Sequence, residues 1–212
     1  LERWLAEQGI RARPCSKGPP ASREVILASG APPGGAEAFR DLVRRIARGS
    51  SVIFLTAVTL RRQDDSAGWV PLEKKGALAG LPSWLYHKDD WAKGHPIFDG
   101  LPARGLLDYG FWREIIPDAA WAGQDAPAEA VAGATNASLG YSAGLHVAVH
   151  RLGAGSFILN ALLVRENLGS HPAAERLLRN LLLYAGRDAG KPLEDPPADL
   201  EKKLDAFGYV ER

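Results

Sequence analysis

Residues 145–187 (LHVAVHRLGAGSFILNALLVRENLGSHPAAERLLRNLLLYAGR) constrain this chain most. The stretch opens with alternating apolar and polar residues, the signature of a strand. It turns at Gly153-Ala154-Gly155 and returns as the apolar run 157–164. A loop follows, then an amphipathic helix with Leu177, Leu178, Leu181, Leu182 and Leu183 among basic residues. An apolar strand of this kind suits the covered centre of a sheet, and the helix is its cover.

Upstream segments extend that pattern. Residues 1–8 (LERWLAEQ) read as a short amphipathic helix stopped by Gly9. Residues 10–15 (IRARPC) alternate and suit an edge strand, since Pro14 is excluded from a central one. Residues 24–28 and 51–58 read as short buried strands. Between them, residues 34–48 form a helix with Phe39, Leu42, Val43 and Ile46 at core spacing. Helix, strand, strand, helix, strand points to an α/β sheet with crossovers. In the middle, residues 68–81 suit a helix containing Leu72 and Leu78, and residues 84–87 a strand. Residues 91–102 read as a turn-rich loop, 128–134 as a strand and 135–144 as a polar loop. Residues 190–197 form a proline-rich joint before a charged helix over 199–207, expected on the surface.

A chain of 212 residues fits one domain with extensions. Net charge is +1, from 26 basic and 25 acidic side chains, so no electrostatic footprint for nucleic acid exists. No apolar run approaches the roughly 20 residues of a membrane span. The single cysteine, Cys15, makes no internal disulfide, and no Cys/His spacing reads as a zinc site. No cofactor motif stands out. The chain begins at Leu1 and contains no Met, which leads us to expect a piece of a longer polypeptide.

Residues 85–117 and 140–182 together resemble a domain near the C-terminus of large bacterial glycoside hydrolases of the family 2 or β-galactosidase type. The phrase HPIFDGLP (95–102) and the hairpin-plus-helix of 145–187 resemble the class I glutamine amidotransferase-like superfamily. The resemblance covers roughly residues 1–187 and implies a flavodoxin-like α/β fold. That fold has a mostly parallel sheet, helices on both faces and a C-terminal β-hairpin, here spanning residues 1–188. Its first strand would lie upstream of Leu1, and residues 189–212 would be an extension. The implied role is a non-catalytic accessory domain with a structural, docking or assembly task. The implied partners are the remainder of the parent polypeptide, a second copy, or carbohydrate.

An active amidotransferase needs a cysteine on a strained strand-to-helix elbow, G-x-C-x-G. Cys15 has no such setting. The elbow position after strand 51–58 reads TAVTL, without Cys, Ser or Gly. No G-x-S-x-G occurs anywhere. No catalytic residue and no metal ligand is therefore assigned. Several polar groups remain as leads. His87, Asp89, Asp90 and His95 form a dense cluster suited to a metal-dependent or hydrolytic site, or to a solvated loop whose acids cap turns. His146 and His150 lie about 13 Å apart on one strand face, too far to share a metal. Arg165-Glu166-Asn167 follow the apolar strand, at the end where open α/β sheets bind ligands. Asp108, Tyr109, Trp112 and Glu114 combine acids with aromatics, a pairing suited to sugar contact. Trp121, with Tyr109 and Trp112, extends this to a carbohydrate-binding module as an alternative. The bland reading of those aromatics is core or interface anchoring.

Overall fold

The computed structural model describes residues 1–15, 20–81, 88–137 and 140–209. Among them, five α-helices and nine strands alternate unevenly along the chain. α1 (Glu2–Glu7), β1 (Val25–Ala28), α2 (Gly35–Ala47) and β2 (Ser51–Phe54) come first. Then come β3 (Ala77–Gly80), β4 (Asp89–Ala92), β5 (Gly105–Leu106), α3 (Tyr109–Trp112), β6 (Ala119–Ala122), β7 (Glu129–Ala137), β8 (Tyr141–Leu152) and β9 (Gly155–Asn160). α4 (Pro172–Ala185) and α5 (Leu200–Ala206) follow.

All nine strands belong to one mixed sheet with the path β1-β2-β9-β8-β7-β4-β5, and β6 joins β3 to β8. Only β1–β2 and β2–β9 pair in parallel. The pairs β3–β6, β4–β5, β4–β7, β6–β8, β7–β8 and β8–β9 are antiparallel. This overturns the expected flavodoxin-like, mostly parallel sheet. The reason is topological. Each parallel neighbour needs a long crossover, usually a helix. Between β2 and α4 the only α-helix among the described residues is the four-residue α3. The chain therefore inserts six strands, β3 to β8, before β9 returns to β2.

The parallel strands sit between two apolar layers. Val52 and Phe54 of β2, with Phe157 and Leu159 of β9, pack with Phe39, Leu42, Val43 and Ile46 of α2. Ile53 and Ile158 face the other way, with Leu177, Leu178 and Leu181 of α4. The period-2 alternation of the strands and the helical spacing of the covers produce both layers. At the β8–β9 turn Gly153 has φ +57, and a Cβ there would run into the backbone of Ala47 at the end of α2. A Cβ on Gly155 would strike the carbonyl oxygens of Ile46 and Ser50. Glycine is required because the hairpin tip touches backbone.

β8 is the seam of the molecule. Its residues 147–152 pair with β9, its Leu145 with Trp121 of β6, and residues 141–149 with β7. A register irregularity lies in β7 between Ala130 and Gly133.

Several local expectations also change. Residues 68–81 are turns followed by β3 rather than a helix. Pro71 breaks a helical run, and Gly76 at φ +66 packs against the backbone of residues 122–124. Residues 10–15 are irregular. The expected strand at 84–87 falls outside the described residues. Residues 135–137 and 141–144 extend a long hairpin instead of forming a loop. The expected strand 51–58 stops at Phe54 and gives way to a 3-10 turn, Ala57–Leu60. The C-terminal helix α5 is charged on its outside, where Glu201 pairs with Arg40 and Arg44 of α2. Its inner side buries Leu200 and Leu204 and leads into buried Phe207 and Tyr209. Arg40, Arg62 and Lys75 donate to the carbonyls of Tyr209, Gly208 and Phe207. The extension is thus part of the core.

Candidate functional site

The C-terminal ends of β1, β2 and β9 form the margin where open parallel sheets bind ligands. Thr56 occupies the elbow position after β2. Its backbone is extended, at φ −129 and ψ 138. A nucleophile elbow is a sharp, strained turn; among the described residues the one non-glycine with positive φ is Gln63. The Thr56 hydroxyl lies 3.1 Å from the Thr59 hydroxyl and donates to the Ser29 carbonyl at 3.4 Å. Asn160 ends β9 and donates to the carbonyls of Leu55 and Leu162, both at 2.8 Å. Its Oδ1 is buried without a partner among the described residues. Arg165 donates to the Ser29 carbonyl, and Asn167 to the carbonyls of Glu114 and Leu163. These groups tie the loops at this margin to one another.

The expected His87–His95 cluster does not converge. His87 falls outside the described residues. Asp89 is exposed, Asp90 is buried, and His95 turns to different partners. Among the described residues, no group of three His, Cys, Asp or Glu is placed to hold a metal.

His95 uses both ring nitrogens. Nδ1 accepts from the Ile97 N–H at 3.2 Å, so Nε2 carries the proton and donates to Glu129 at 2.8 Å. Tyr184 of α4 donates to the other Glu129 oxygen at 2.6 Å. Burial opposes ionisation of Glu129, but the bonds from Tyr184 and His95 outweigh it and hold its carboxyl below the usual range. Asn180 of α4 donates to the carbonyls of Ile97 and Asp99, and Arg176 to Asp99. HPIFDG is thus a capped turn clamped onto α4. His171 repeats the device: its Nδ1 accepts from Ala173 N–H at 3.2 Å, and Pro172 opens α4. In both His-Pro pairs the imidazole satisfies a donor orphaned at a helix start. A half-open recess of about 270 Å³ beside this turn carries Phe98, Asp99 and Arg104.

The densest buried polar group joins β4 to β8. His146 Nε2 lies 2.8 Å from Asp90 Oδ1, and Lys88 donates to both Asp90 oxygens at 2.7 and 2.9 Å. His146 is fully buried and Asp90 is 8% exposed. Burial disfavours ionised Asp90, yet the bonds from His146 and Lys88 prevail and keep its carboxyl below the ordinary value. Burial lowers the His146 pKa, Asp90 opposes this, and Lys88 adds to it. The ring is therefore neutral, with Nε2–H on Asp90. Its Nδ1 is buried without a partner among the described residues. The arrangement resembles the orienting half of a catalytic dyad, but no hydroxyl or thiol among the described residues is bonded to the ring. The sequence shows His146 and Asp90 separately; their pairing across 56 residues carries no local signal.

The sugar-contact group disperses. Asp108 Oδ1 caps α3 by accepting from Phe111 N–H at 2.9 Å. Trp112 is fully buried and donates Nε1–H to the Pro102 carbonyl at 3.1 Å. Trp121 is 1% exposed. Glu114 is exposed and accepts from Arg113. Of the aromatics expected to stack on sugar, only Tyr109 faces solvent, at 69% exposure. With Leu106 at 72% and Phe111 at 39% it places large apolar side chains at the surface of β5 and α3.

No family model and no curated protein matches this chain.

Proposed function

We propose that the chain is a non-catalytic accessory domain of a larger bacterial glycoside hydrolase, with a docking or assembly role. The carrying observation is the contrast between its committed polar groups and its exposed apolar ones. The histidines and amides of HPIFDG and SHPAAER, and the margin beside Thr56, are used in holding turns and strand ends. Leu106, Tyr109 and Phe111 are exposed beside buried Leu107, Trp112 and Ile115. Aromatic side chains are favoured anchors in interfaces, and exposed apolar patches mark partner contacts. The motif resemblance of residues 85–117 and 140–182 supports the choice of parent.

The test combines turnover with surface labelling. The chain should hydrolyse neither aryl-glycosides nor glutamine. Joined to the upstream polypeptide, Leu106, Tyr109 and Phe111 should become protected from hydroxyl-radical labelling. Glycoside turnover lost on Glu114→Gln would replace this reading with a catalytic one. Protection arising in a dimer of the isolated chain would make the partner a second copy.

A further inference from the structure

β8 carries two buried histidines, four residues apart, on the strand that binds the two parts of the sheet together. His146 is fully buried and His150 is 3% exposed. Each retains one ring nitrogen without a partner among the described residues, Nδ1 of His146 and Nε2 of His150. A protonated ring would carry a donor on that nitrogen, buried where no described group accepts it. The charged groups facing His146 are Asp90 and Lys88, on β4 and just before it. Asp90 favours a second proton on the ring, but Lys88 already holds both its oxygens. His150 stacks on Phe157 of β9, with centroids 5.0 Å apart and planes within 6°. The charged group facing it is Asp125, in the segment between β6 and β7. Its neighbour Arg151 reaches Glu129 of β7 at 3.7 Å, and Glu129 is already held by His95 and Tyr184.

We propose that β8 is an acid-labile joint: neutral His146 and His150 seat it against β4 and β9, and their protonation releases the seam of the sheet. Burial pushes His150 down to about 4 and lowers His146 as well. A histidine whose folded pKa is depressed favours the fold above its unfolded value of about 6.5. That stability is lost as pH falls from there toward the folded value. Asp90 also has a depressed pKa and so acts in the same direction, but its contribution starts to fall only as pH drops to the usual carboxylate range. The window from about pH 6.5 to 4.5 therefore belongs to the two histidines.

Amide hydrogen exchange of the whole chain tests this. Between about pH 7.5 and 5.0, after correction for intrinsic exchange, the opening constant of the β8–β7 and β8–β9 amides should rise about thirtyfold from His150 alone. His146 should add a further increase. The β1–β2 amides, which contain no histidine, should change least. The double variant His146→Gln and His150→Phe should abolish the acid increase; glutamine keeps a donor for Asp90 and phenylalanine keeps the stack. Ring proton shifts of the unaltered chain give an independent reading. A ring titrating near its ordinary value while β8 stays protected would overturn the proposal. So would an acid response retained in full by the double variant.

Discussion

β2 buries all four of its residues, Ser51 to Phe54, between helices on either face, whereas β4 buries only Asp90 and Ala92 and leaves Asp89 exposed. The parallel margin of the sheet is an apolar sandwich. Ile53, Phe54, Phe157 and Ile158 contribute through area removed from water, at about 25 cal/mol per Å². The antiparallel region places small residues, Ala120, Ala132, Ala134 and Gly144, at its strand contacts, beside buried Trp121, Val131, Val147 and Val149. A Cβ on Gly133 would press into the carbonyl of Gly144 and the ring of Trp91. Small residues let strands and covers approach closely but bury little apolar area each. The Lys88–Asp90–His146 group adds a polar tie between β4 and β8 to that packing. The first region tolerates hydrophobic substitution of similar volume. The second depends on each polar partner being present.

Removing one polar partner gives the largest expected difference between the regions. Asp90→Ala leaves Lys88 uncompensated and the buried Nε2–H of His146 without an acceptor. Breaking a buried charge pair costs about 3–5 kcal/mol. Ile53→Ala, in the apolar sandwich, should cost about 3 kcal/mol through lost transfer energy and a cavity. Ile53→Val should cost about 1 kcal/mol, whereas Asp90→Asn should remain costly because it still removes the charge facing Lys88. Urea unfolding of the four variants measures these values. If Asp90→Ala costs less than about 1 kcal/mol, as a surface pair would, the antiparallel region rests on packing and the contrast fails.

The two regions are also unequally legible in the sequence. Residues 24–28, 51–58 and 157–164 read as strands from their apolar runs beside helices of clear 3.6 periodicity; strands form at Val25–Ala28, Ser51–Phe54 and Gly155–Asn160, so their presence is legible locally but their C-terminal ends are not. Residues 128–144, AEAVAGATNASLGYSAG, show little hydrophobic alternation, so part of the longest hairpin reads as a polar loop. Its stability comes from cross-strand partners far along the chain, which a local window does not contain. The same limit hides the site geometry. His95 looks like a ligand because it lies near two aspartates in sequence, while its actual hydrogen-bond partners are Glu129 and the Ile97 N–H. Trp112 looks like a sugar platform because it sits among acids, while its ring is core. The helical covers favour a parallel fold because α2 and α4 suit one. Pairing direction is set by the six strands inserted between β2 and β9.

A smaller effect sharpens the comparison at α3, on the antiparallel side. Asp108 is exposed, and it accepts from the Phe111 N–H. Replacing an N-cap aspartate with alanine costs about 1 kcal/mol, whereas serine caps about as well as aspartate. Asp108→Ala should lower stability by that amount in thermal unfolding, and Asp108→Ser should restore most of it. A substrate-binding role would give a different pattern: unchanged stability in both variants, with weakened affinity for an added glycan.

The smallest expected effect belongs to the parallel side. Cys15 lies near the ion pairs that Arg45 makes with Glu24 at 2.6 Å and Asp41 at 2.8 Å. Partial burial pushes its thiol pKa up; Arg45 opposes this, and the nearby Glu24 and Asp41 carboxylates reinforce it. An activated cysteine needs the reverse, a thiolate stabilised by a helix N-terminus or an unshared cation. Arg45 is already shared between two carboxylates. At about pH 7.5 Cys15 should therefore react with iodoacetamide more slowly than an unhindered cysteine in a short peptide. Cys15→Ser should change stability by less than about 0.5 kcal/mol, as expected of a conservative change outside the core. Alkylation faster than the peptide, together with an apparent thiol pKa below about 7.5, would mark an activated thiol. The polar groups of the parallel region would then do chemistry as well as hold structure, and the non-catalytic assignment would fall with that result.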